Sequence, residues 1–399
     1  MDPLLRDMRA WGLMLAATLT IMSNATITPA LPGLQAMYGD DPNAELITRL
    51  LITAPSLLVA LVAPFAGAVV DRLGRRPPLM AGLIVYALAG TAGLWLQSLE
   101  AILVSRLILG LGVAAIMVAQ AALIGDYFEG PARGRLMGYQ IAATNVGGLV
   151  FVMTAGMLAA QDPRLPFMIY GLSALMLPLL WRSLPEPSAA VEGHGPGAQD
   201  VQGEPGWQTT VAIMAIAPGL TFVFFYAVPT QLPYHLAALG LSDPVQAGEA
   251  MASMMFAAAI MAVASGWLRP VLGRIGTPVS GYSGLILGFG LLASAATLPV
   301  AMLGTALVGA GLGLAMPTFI TTALNAAPAH RRGLVSGLVT SAIFLGQFLS
   351  PLVMQPLVGQ YGYRTAFAVG SAGFLTLAIV LTLTLRQQKR PVDKPVAAQ

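Results

Sequence analysis

Arg106 is the ionisable residue with the most informative neighbourhood in this sequence. It opens the apolar run Arg106-Leu-Ile-Leu-Gly110-Leu-Gly112, in a chain with only 9% charged residues. An arginine among apolar residues is costly to desolvate, so it faces either the protein interior or water. Alternatively, its long side chain reaches a polar interface, because Glu100 and the adjoining loop lie about one and a half helical turns away. Arg106 is therefore either a functional charge inside the protein or a residue at its boundary.

A second group of charges lies in one short loop. The sequence Gly67-Ala-Val-Val-Asp71-Arg72-Leu-Gly74-Arg75-Arg76 separates two long apolar segments. Gly67 and Asp71 stand one helical turn apart, so both can face a neighbouring helix. Gly74 permits a tight turn that a residue with a Cβ would strain. Three arginines in so short a connection are typical of a cytoplasmic loop, although any such loop attracts arginine.

Uncharged polar and aromatic residues within the apolar segments form a third group. Together with methionines, such side chains could line a cavity for an amphipathic or weakly polar organic solute. For each residue alone, interhelical hydrogen bonding or aromatic packing is the commoner explanation. The predicted substrate-binding residues are Asn24, Gln120, Gln140, Asn145, Phe222, Tyr226, Gln231, Asn325 and Gln347.

The composition identifies the environment of these residues. The chain has 399 residues, of which 56% are hydrophobic and 9% charged, against about 25% charged in soluble domains. So few charges could not cover a soluble fold, and we predict an integral membrane protein. The absence of cysteine excludes disulfides, and the 3 histidines are dispersed, so we expect no metal site and no cofactor. A net charge of +3 without a cluster of basic residues gives no indication of nucleic-acid binding.

Apolar runs of about 20 residues predict twelve membrane spans. We place them at 10–32, 47–70, 78–97, 101–124, 136–160, 165–183, 208–232, 246–268, 277–297, 299–324, 333–357 and 364–386. The stretch 184–207 is rich in proline, glycine and acidic residues, and we predict a linker there. The expected domains are therefore an N-terminal six-helix bundle (1–183), the linker, a C-terminal six-helix bundle (208–387) and a tail (388–399).

The positions of the basic residues predict the orientation. Sixteen of the 20 lysines and arginines fall on one side of the predicted spans, and the other four are Arg49, Arg106, Arg164 and Arg364. Because positively charged loops stay in the cytoplasm, both termini are expected there.

The two predicted halves also resemble each other. The sequence Gly266-Trp-Leu-Arg269-Pro-Val-Leu-Gly273-Arg274 lies between the eighth and ninth spans, where Gly67 to Arg75 lies between the second and third. In this second copy Pro270 aligns with Asp71. The similarity favours a parallel repeat of two bundles, with a substrate site between them.

These features resemble the major facilitator superfamily. The loop from Gly67 to Leu79 looks like its signature between helices two and three, and Arg106 with its closely spaced glycines is similar to its fourth-helix motif. The run Gly362-Tyr-Arg364-Thr-Ala-Phe367 looks like the usual entry to helix twelve. The resemblance implies an all-α polytopic membrane protein with twelve transmembrane helices in two pseudo-symmetric six-helix bundles.

The resemblance also implies roles for the charged residues. It makes the loop and Asp126 a cytoplasmic gate, with Asp71 near the start of span eleven, around Gly333. The implied gate residues are Gly67, Asp71, Arg72, Gly74, Arg75, Arg76 and Asp126. In proton-coupled relatives the fourth-helix arginine is implicated in proton transfer, so the resemblance makes Arg106 a candidate for proton coupling. The central cavity of the family is lined largely by helices one, four, seven and ten.

The chain looks most similar to the branch that exports drugs or metabolites in exchange for protons. Two features depart from that branch: span five lacks the usual Gly-Pro, and no predicted span has an Asp or Glu at its centre. An uptake carrier or an uncoupled facilitator for a small organic nutrient therefore remains an alternative. The chain shows no constellation of catalytic residues, so we do not expect an enzyme. We expect a monomer in a bacterial cytoplasmic membrane, in contact with lipid, with a small-molecule substrate and protons as the possible coupling ion.

Overall fold

The computed structural model describes residues 3–65, 70, 72–187, 206–328 and 331–387, and the regular structure in these ranges is helical. Most of the predicted linker and the tail lie outside the described residues. After a 3-10 turn at Pro3–Arg6, the first half contains six spanning helices. They are α1 (Met8–Ala25, continued by Thr28–Ala30 and Leu31–Met37), α2 (Ala44–Val62), α3 (Arg76–Thr91, continued by Ala92–Leu94), α4 (Leu99–Tyr127), α5 (Gly130–Ala159) and α6 (Leu172–Ser183, preceded by Leu165–Gly171).

The second half repeats this arrangement. Its helices are α7 (Trp207–Phe225, continued by Ala227–Ala238), α8 (Pro244–Gly273), α9 (Ile275–Ser294), α10 (Leu298–Ala326), α11 (332–361) and α12 (363–387). The last two follow each other almost without interruption, but Gly362 has φ 78° and ψ 170° and breaks the helix. The segment Arg332–Leu385 has 54 residues, enough to cross a bilayer of about 30 Å twice at about 1.5 Å per residue. The predicted twelve-helix fold is therefore confirmed.

Several predicted ends differ from the structure. The first span was predicted to end at residue 32, but after a break near Ile27 it continues as a helix to Met37. The seventh was predicted to end at 232, yet helix continues to Ala238 through Pro229 and Pro233. A proline in the first turn of a helix is tolerated, because the N–H that it lacks would have no helical acceptor at that position. Because Tyr226 separates the two parts of α7, Pro229 falls in the first turn of the second part.

Close contacts between glycines and neighbouring backbones repeat in the two bundles. A Cβ on Gly110 of α4 would collide with the carbonyl oxygen of Pro55 on α2, and one on Gly309 of α10 with that of Met254 on α8. Both residues of the second pair lie 199 positions after those of the first. The same offset relates the Gly82–Gly112 contact to the Gly281–Gly311 contact. It also relates Gly74 to Gly273, and each of these two glycines has a positive φ. The repeat predicted from sequence is thus a structural one.

The bundles meet along two pairs of helices. α2 packs on α11, where the Ser341 hydroxyl donates a 2.7 Å hydrogen bond to the Ala60 carbonyl. α5 packs on α8, where Gly156 and Gly248 bring the two backbones together. We call the end of the bundle with the loop 72–76 the basic end, and the end where α1 joins α2 the opposite end.

The glycine contacts give a stability prediction. Gly309→Ala should lower the thermal unfolding temperature in detergent, because its methyl group forces α10 away from α8, and overpacking typically costs about 1–3 kcal/mol. Gly290→Ala on α9 is the matched control, since its Cβ would meet no atom within 4 Å. That change should leave the unfolding temperature unchanged or raise it, because alanine favours helix by up to about 1 kcal/mol. Equal unfolding temperatures for the two variants would contradict the packing account.

Candidate functional site between the two bundles

A cavity of about 280 Å³ lies between the two bundles, surrounded by parts of α1, α4, α5, α7, α8, α10 and α11. Its walls are mostly apolar, with four methionines and four aromatic residues, and none of the described residues that line it is charged. The wall residues with the largest side chains are Met117, Phe222, Phe225, Tyr226, Met251, Met254, Met255 and Phe344. Such a surface suits an apolar or amphipathic molecule.

Three of the polar residues that line this cavity form one hydrogen-bonded cluster. The Asn24 side-chain amide donates hydrogen bonds to the Tyr226 hydroxyl at 2.9 Å and to Gln347 Oε1 at 3.4 Å. The Ser56 hydroxyl donates to the same Gln347 oxygen at 2.8 Å. The cluster therefore connects α1 and α2 of the first bundle with α7 and α11 of the second. A solute that competes for these groups would alter the contact between the bundles.

Five of the nine predicted substrate-binding residues line this cavity: Asn24, Asn145, Phe222, Tyr226 and Gln347. Sequence reasoning missed Phe344, Met251 and Met254, and it left Phe225 out of the predicted binding residues. The spacing of Met251, Met254 and Met255 by three and four residues, which places them on one helix face, was the available signal.

The other four predicted residues lie elsewhere, and their assignment to the cavity is corrected. Gln120 is 2% exposed, and its amide donates a 2.6 Å hydrogen bond to the Leu13 carbonyl, so it fastens α4 to α1. Asn325 lines a separate cavity at the basic end. Gln140, near the start of α5, is not among the lining residues. Gln231 belongs to a polar network at the opposite end.

That network is built around Arg49 of α2, which is 1% exposed. Its Nε donates a 2.9 Å hydrogen bond to Gln231 Oε1, and its guanidinium lies 4.0 Å from the centre of the Tyr234 ring. Both partners belong to α7, so one buried cation holds the two bundles together. Arg49 Nη2 also lies 3.5 Å from Glu45 Oε1 on the same helix, so burial of the charge is offset by this carboxylate, by the amide oxygen and by the cation–π contact.

Three further hydrogen bonds extend this contact. The Gln231 amide donates to Gln355 Oε1 at 3.1 Å, and the Gln355 amide donates to Glu45 Oε1 at 2.6 Å. The Tyr234 hydroxyl donates to Thr48 Oγ1 at 2.9 Å. We call Glu45, Thr48, Arg49, Gln231, Tyr234 and Gln355 the Arg49 network. It closes the opposite end of the interface. The signals available in the sequence were an arginine on the side with few basic residues and the polar, proline-containing stretch 228–235.

Arg106 lies inside the first bundle with no exposed surface, so the alternative of a boundary residue is wrong. Its Nε donates a 3.0 Å hydrogen bond to the Leu51 carbonyl, and its Nη2 donates to the Tyr170 hydroxyl at 2.9 Å and to the Ser23 carbonyl. Within the described part of the chain, its Nη1 has no hydrogen-bond partner. Arg106 thus joins α4 to α1, α2 and α6 while keeping one donor free.

At the basic end, Asp126 is paired with Arg75, one of the arginines of the loop. Arg75 Nε donates a 2.8 Å hydrogen bond to Asp126 Oδ2, and both side chains are partly exposed. The backbone N–H groups of Arg75 and Arg76 donate to the two oxygens of Glu186 at 2.7 and 2.8 Å. Glu186 therefore caps the start of α3 with a negative charge, as the helix dipole favours. Sequence reasoning had placed Glu186 in the linker.

The remaining gate residues are only partly defined. Gly74 has φ +83°, which fits the predicted tight turn, and the Arg76 guanidinium lies 3.8 Å from the centre of the Trp181 ring. Arg72 is exposed to solvent. Gly67 and Asp71 lie outside the described residues, so the expected position of Asp71 near Gly333 stays a prediction.

Comparison with known proteins agrees with this architecture. A family model described as the Major Facilitator Superfamily matches residues 13–351. The multidrug efflux protein YfmO of Bacillus subtilis (strain 168) is 24% identical over 388 residues, which cover 94% of this chain and 92% of that protein. Multidrug resistance protein 1 of the same organism is 30% identical over 145 residues, only 36% of either chain.

Solved structures give the same fold. The crystal structure of a human organic anion transporter superposes with a TM-score of 0.69 at 20% identity, covering 96% of this chain and 100% of that one. At this identity the likeness shows the fold alone. With the twelve helices and the match to the family model over residues 13–351, it leads to one conclusion: this chain is a multi-pass membrane transporter, not an enzyme, and belongs to the major facilitator superfamily.

Proposed function

We propose that the protein exports an amphipathic, weakly polar organic compound across the bacterial cytoplasmic membrane in exchange for protons. The observation that carries this proposal is the uncharged cavity of methionine and aromatic side chains, with the polar cluster of Asn24, Tyr226 and Gln347 on its wall. The names of two relatives, a multidrug efflux protein and a multidrug resistance protein, support export of this class of compound.

The lining of the cavity determines the solute class. A cavity of about 280 Å³ is near the lower limit of about 300 Å³ for small-molecule pockets. A charged solute would lose its hydration there without gaining a counter-ion from the described lining residues. A sugar would need many hydrogen-bonding groups, whereas the cavity offers a few on apolar walls. A neutral amphipathic compound suits both the absence of charge and the small number of hydrogen-bonding groups in the described lining.

The transport cycle follows from the two ends of the interface. If the basic end faces the cytoplasm, as the positive-inside rule requires, the Arg49 network closes the outer side. A second cavity of about 200 Å³ between α2, α4 and α11 lies toward the basic end and shares Met117 with the central cavity. It provides a route from the cytoplasm. Export then requires the Arg49 network to open while the basic end closes, as in rocking-bundle transporters.

For proton coupling we retain Arg106. A guanidinium does not lose its proton in a protein, so Arg106 would act as a fixed charge on a water molecule or on the solute. Its unpartnered Nη1 is the group available for this interaction. No acidic side chain contacts the Arg106 guanidinium among the described residues. Its positive charge would therefore destabilise the protonated form of a nearby group or water and favour release of the proton.

The test is solute flux in proteoliposomes of the purified protein, with and without an imposed pH gradient. The panel should contain a neutral amphipathic antibiotic, a lipophilic cation and a sugar, with protein-free liposomes as the control. We expect uphill movement of the neutral compound, driven by protons moving in the opposite direction. Movement of solute and protons in the same direction would make it an uptake carrier, and movement only down the solute gradient would make it an uncoupled facilitator.

The polar cluster gives a prediction on affinity. Asn24→Ala should raise the KM for the solute about three- to tenfold, since one hydrogen bond contributes about 0.5–1.5 kcal/mol. Gln140→Ala is the control, because it removes an amide that does not line the cavity. Transport kinetics in the same proteoliposomes measure both. An unchanged KM in Asn24→Ala, or an equal rise in the control, would remove the cluster from the site.

The pair at the basic end gives a prediction on turnover. Asp126→Asn should lower the maximal rate about fivefold and leave solute affinity unchanged. The reason is that the Arg75–Asp126 pair contributes about 1 kcal/mol to the stability of the conformation in which it forms. Glu129→Gln removes a neighbouring exposed acid and should have no such effect. A loss of affinity at normal maximal rate in Asp126→Asn would contradict its role as a gate residue.

Arg106 gives a prediction on coupling. Arg106→Gln should abolish the effect of the pH gradient on flux while the protein still folds, because the fixed charge is removed. Arg106→Lys keeps the charge but loses the planar fork of donors, so it should retain part of the coupling. Flux at several pH gradients and unfolding temperatures would be compared for the three proteins. The same pH dependence in Arg106→Gln as in the unsubstituted protein would place coupling elsewhere.

A further inference from the structure

We infer that the cavity at the basic end of the second bundle binds a phosphate-type oxyanion, with Arg269 as its cationic ligand. The cavity has a volume of about 490 Å³ and lies between the end of α8, the start of α9 and the end of α10. Its polar lining includes Arg269, Thr277, Thr318, Thr322 and Asn325. It is separate from the central cavity and independent of the proposed export function.

The Arg269 guanidinium is the first reason. Its Nε and Nη2 are buried and have no hydrogen-bond partner among the residues that the structure describes. Buried donors of a charged group are almost always paired, because an unpaired one loses hydration without compensation. Since Nε and Nη2 have almost no accessible surface, an oxyanion in the cavity would contact the guanidinium through Nη1 and supply the missing negative charge.

Comparison of the two halves gives the second reason. Asn325 lies 199 positions after Asp126, the offset that relates the glycine contacts of the two bundles. In the first half Asp126 accepts a hydrogen bond from Arg75 at 2.8 Å, so an internal acid neutralises that end. In the second half Asn325 stands in its place and carries no charge; the same offset aligns Arg75 with Arg274 and Val70 with Arg269, so Arg269 is an additional cation at this end. The acids within residues 206–387 are Asp243 and Glu249, both near the start of α8 at the opposite end.

Neutral donors around Arg269 complete the site. The Thr277 hydroxyl donates to the Gly273 carbonyl at 2.8 Å and is therefore occupied. The side chains of Thr318, Thr322 and Asn325 make no hydrogen bond within the described ranges and face the cavity. Gly273, with φ 70° and ψ −175°, ends α8 and places the start of α9 at the cavity. The N-terminus of this helix of 20 residues adds a partial positive charge.

The surroundings place the cavity at the membrane surface. Trp267 and Val271 are 79% and 83% exposed and stand one turn apart on α8. Arg269 falls midway between them in sequence, about 200° around the helix from Trp267, so it points away from their face. Tryptophan is enriched where helices leave the hydrocarbon for the headgroup region. The phosphate of a phospholipid headgroup and free inorganic phosphate share the required chemistry, and both can reach this level.

The test is the thermal unfolding temperature of the full chain in a neutral detergent, measured against two probes. One is inorganic phosphate at constant ionic strength, and the other is short-chain phosphatidylglycerol. We expect the unfolding temperature to rise with at least one probe, and Arg269→Gln to weaken the apparent Kd about tenfold or more. Arg182→Gln is the matched control: it removes an exposed arginine from the basic end of α6 and should leave the Kd unchanged.

A second variant covers the case in which Arg269→Gln does not fold. Asn325→Asp places an acid in the cavity, as at Asp126 in the first half. It should raise the unfolding temperature without a probe and abolish the response to both probes. A response to inorganic phosphate supports a site for the free anion, and a response to the lipid alone supports a headgroup site. No response in the unsubstituted protein, or equal responses in all the variants, would overturn the proposal.

Discussion

A polar group within the hydrocarbon has to find its hydrogen-bonding partners inside the protein, and this constraint governs the positions of the buried arginines. Arg106 meets it within one bundle, through the carbonyls of Leu51 and Ser23 and the Tyr170 hydroxyl. Arg49 meets it partly within its own bundle, through Glu45, and partly across the two bundles, through Gln231 and the ring of Tyr234. The contacts of Arg106 hold the helices of one bundle together. Those of Arg49 include polar contacts between the bundles, which can be broken and formed again.

Rigid bundles and a reversible interface are what a rocking transporter requires. Inside each bundle, glycines at equivalent positions let α4 approach α2 and α10 approach α8 closely enough for backbone contact. Between the bundles, the described polar contacts include the Arg49 network, the cluster of Asn24, Tyr226 and Gln347, and the bond from Ser341 to Ala60. Such hydrogen bonds can be exchanged for bonds to water when one end opens, at a modest net cost.

The fold could be predicted from the sequence because long apolar runs mark the segments that cross the bilayer, and the distribution of basic residues predicts their orientation. The sequence also indicated that Asp126 lies near the arginines of the loop, because all of them fall at the same end of the predicted spans. It failed where the partner depends on helix rotation. Gln120 resembles a ligand-binding amide in sequence, yet it faces Leu13 of a neighbouring helix. Glu186 reaches the start of α3 from a segment read as linker, and Gln355 meets Glu45 from the far half of the chain. Such contacts between distant residues need three-dimensional information.

The central claim is that the Arg49 network holds one end closed and that the two ends open alternately. Because the chain has no cysteine, spin labels can be introduced without background at Asp40→Cys with Ser242→Cys, and at Gly134→Cys with Gly266→Cys. The first pair reports on the opposite end and the second on the basic end. The most direct measurement is the distance within each pair by pulsed electron paramagnetic resonance, with Arg49 intact and in Arg49→Gln. The account predicts that Arg49→Gln lengthens the first distance and shortens the second. Unchanged distances, or lengthening of both, would contradict it.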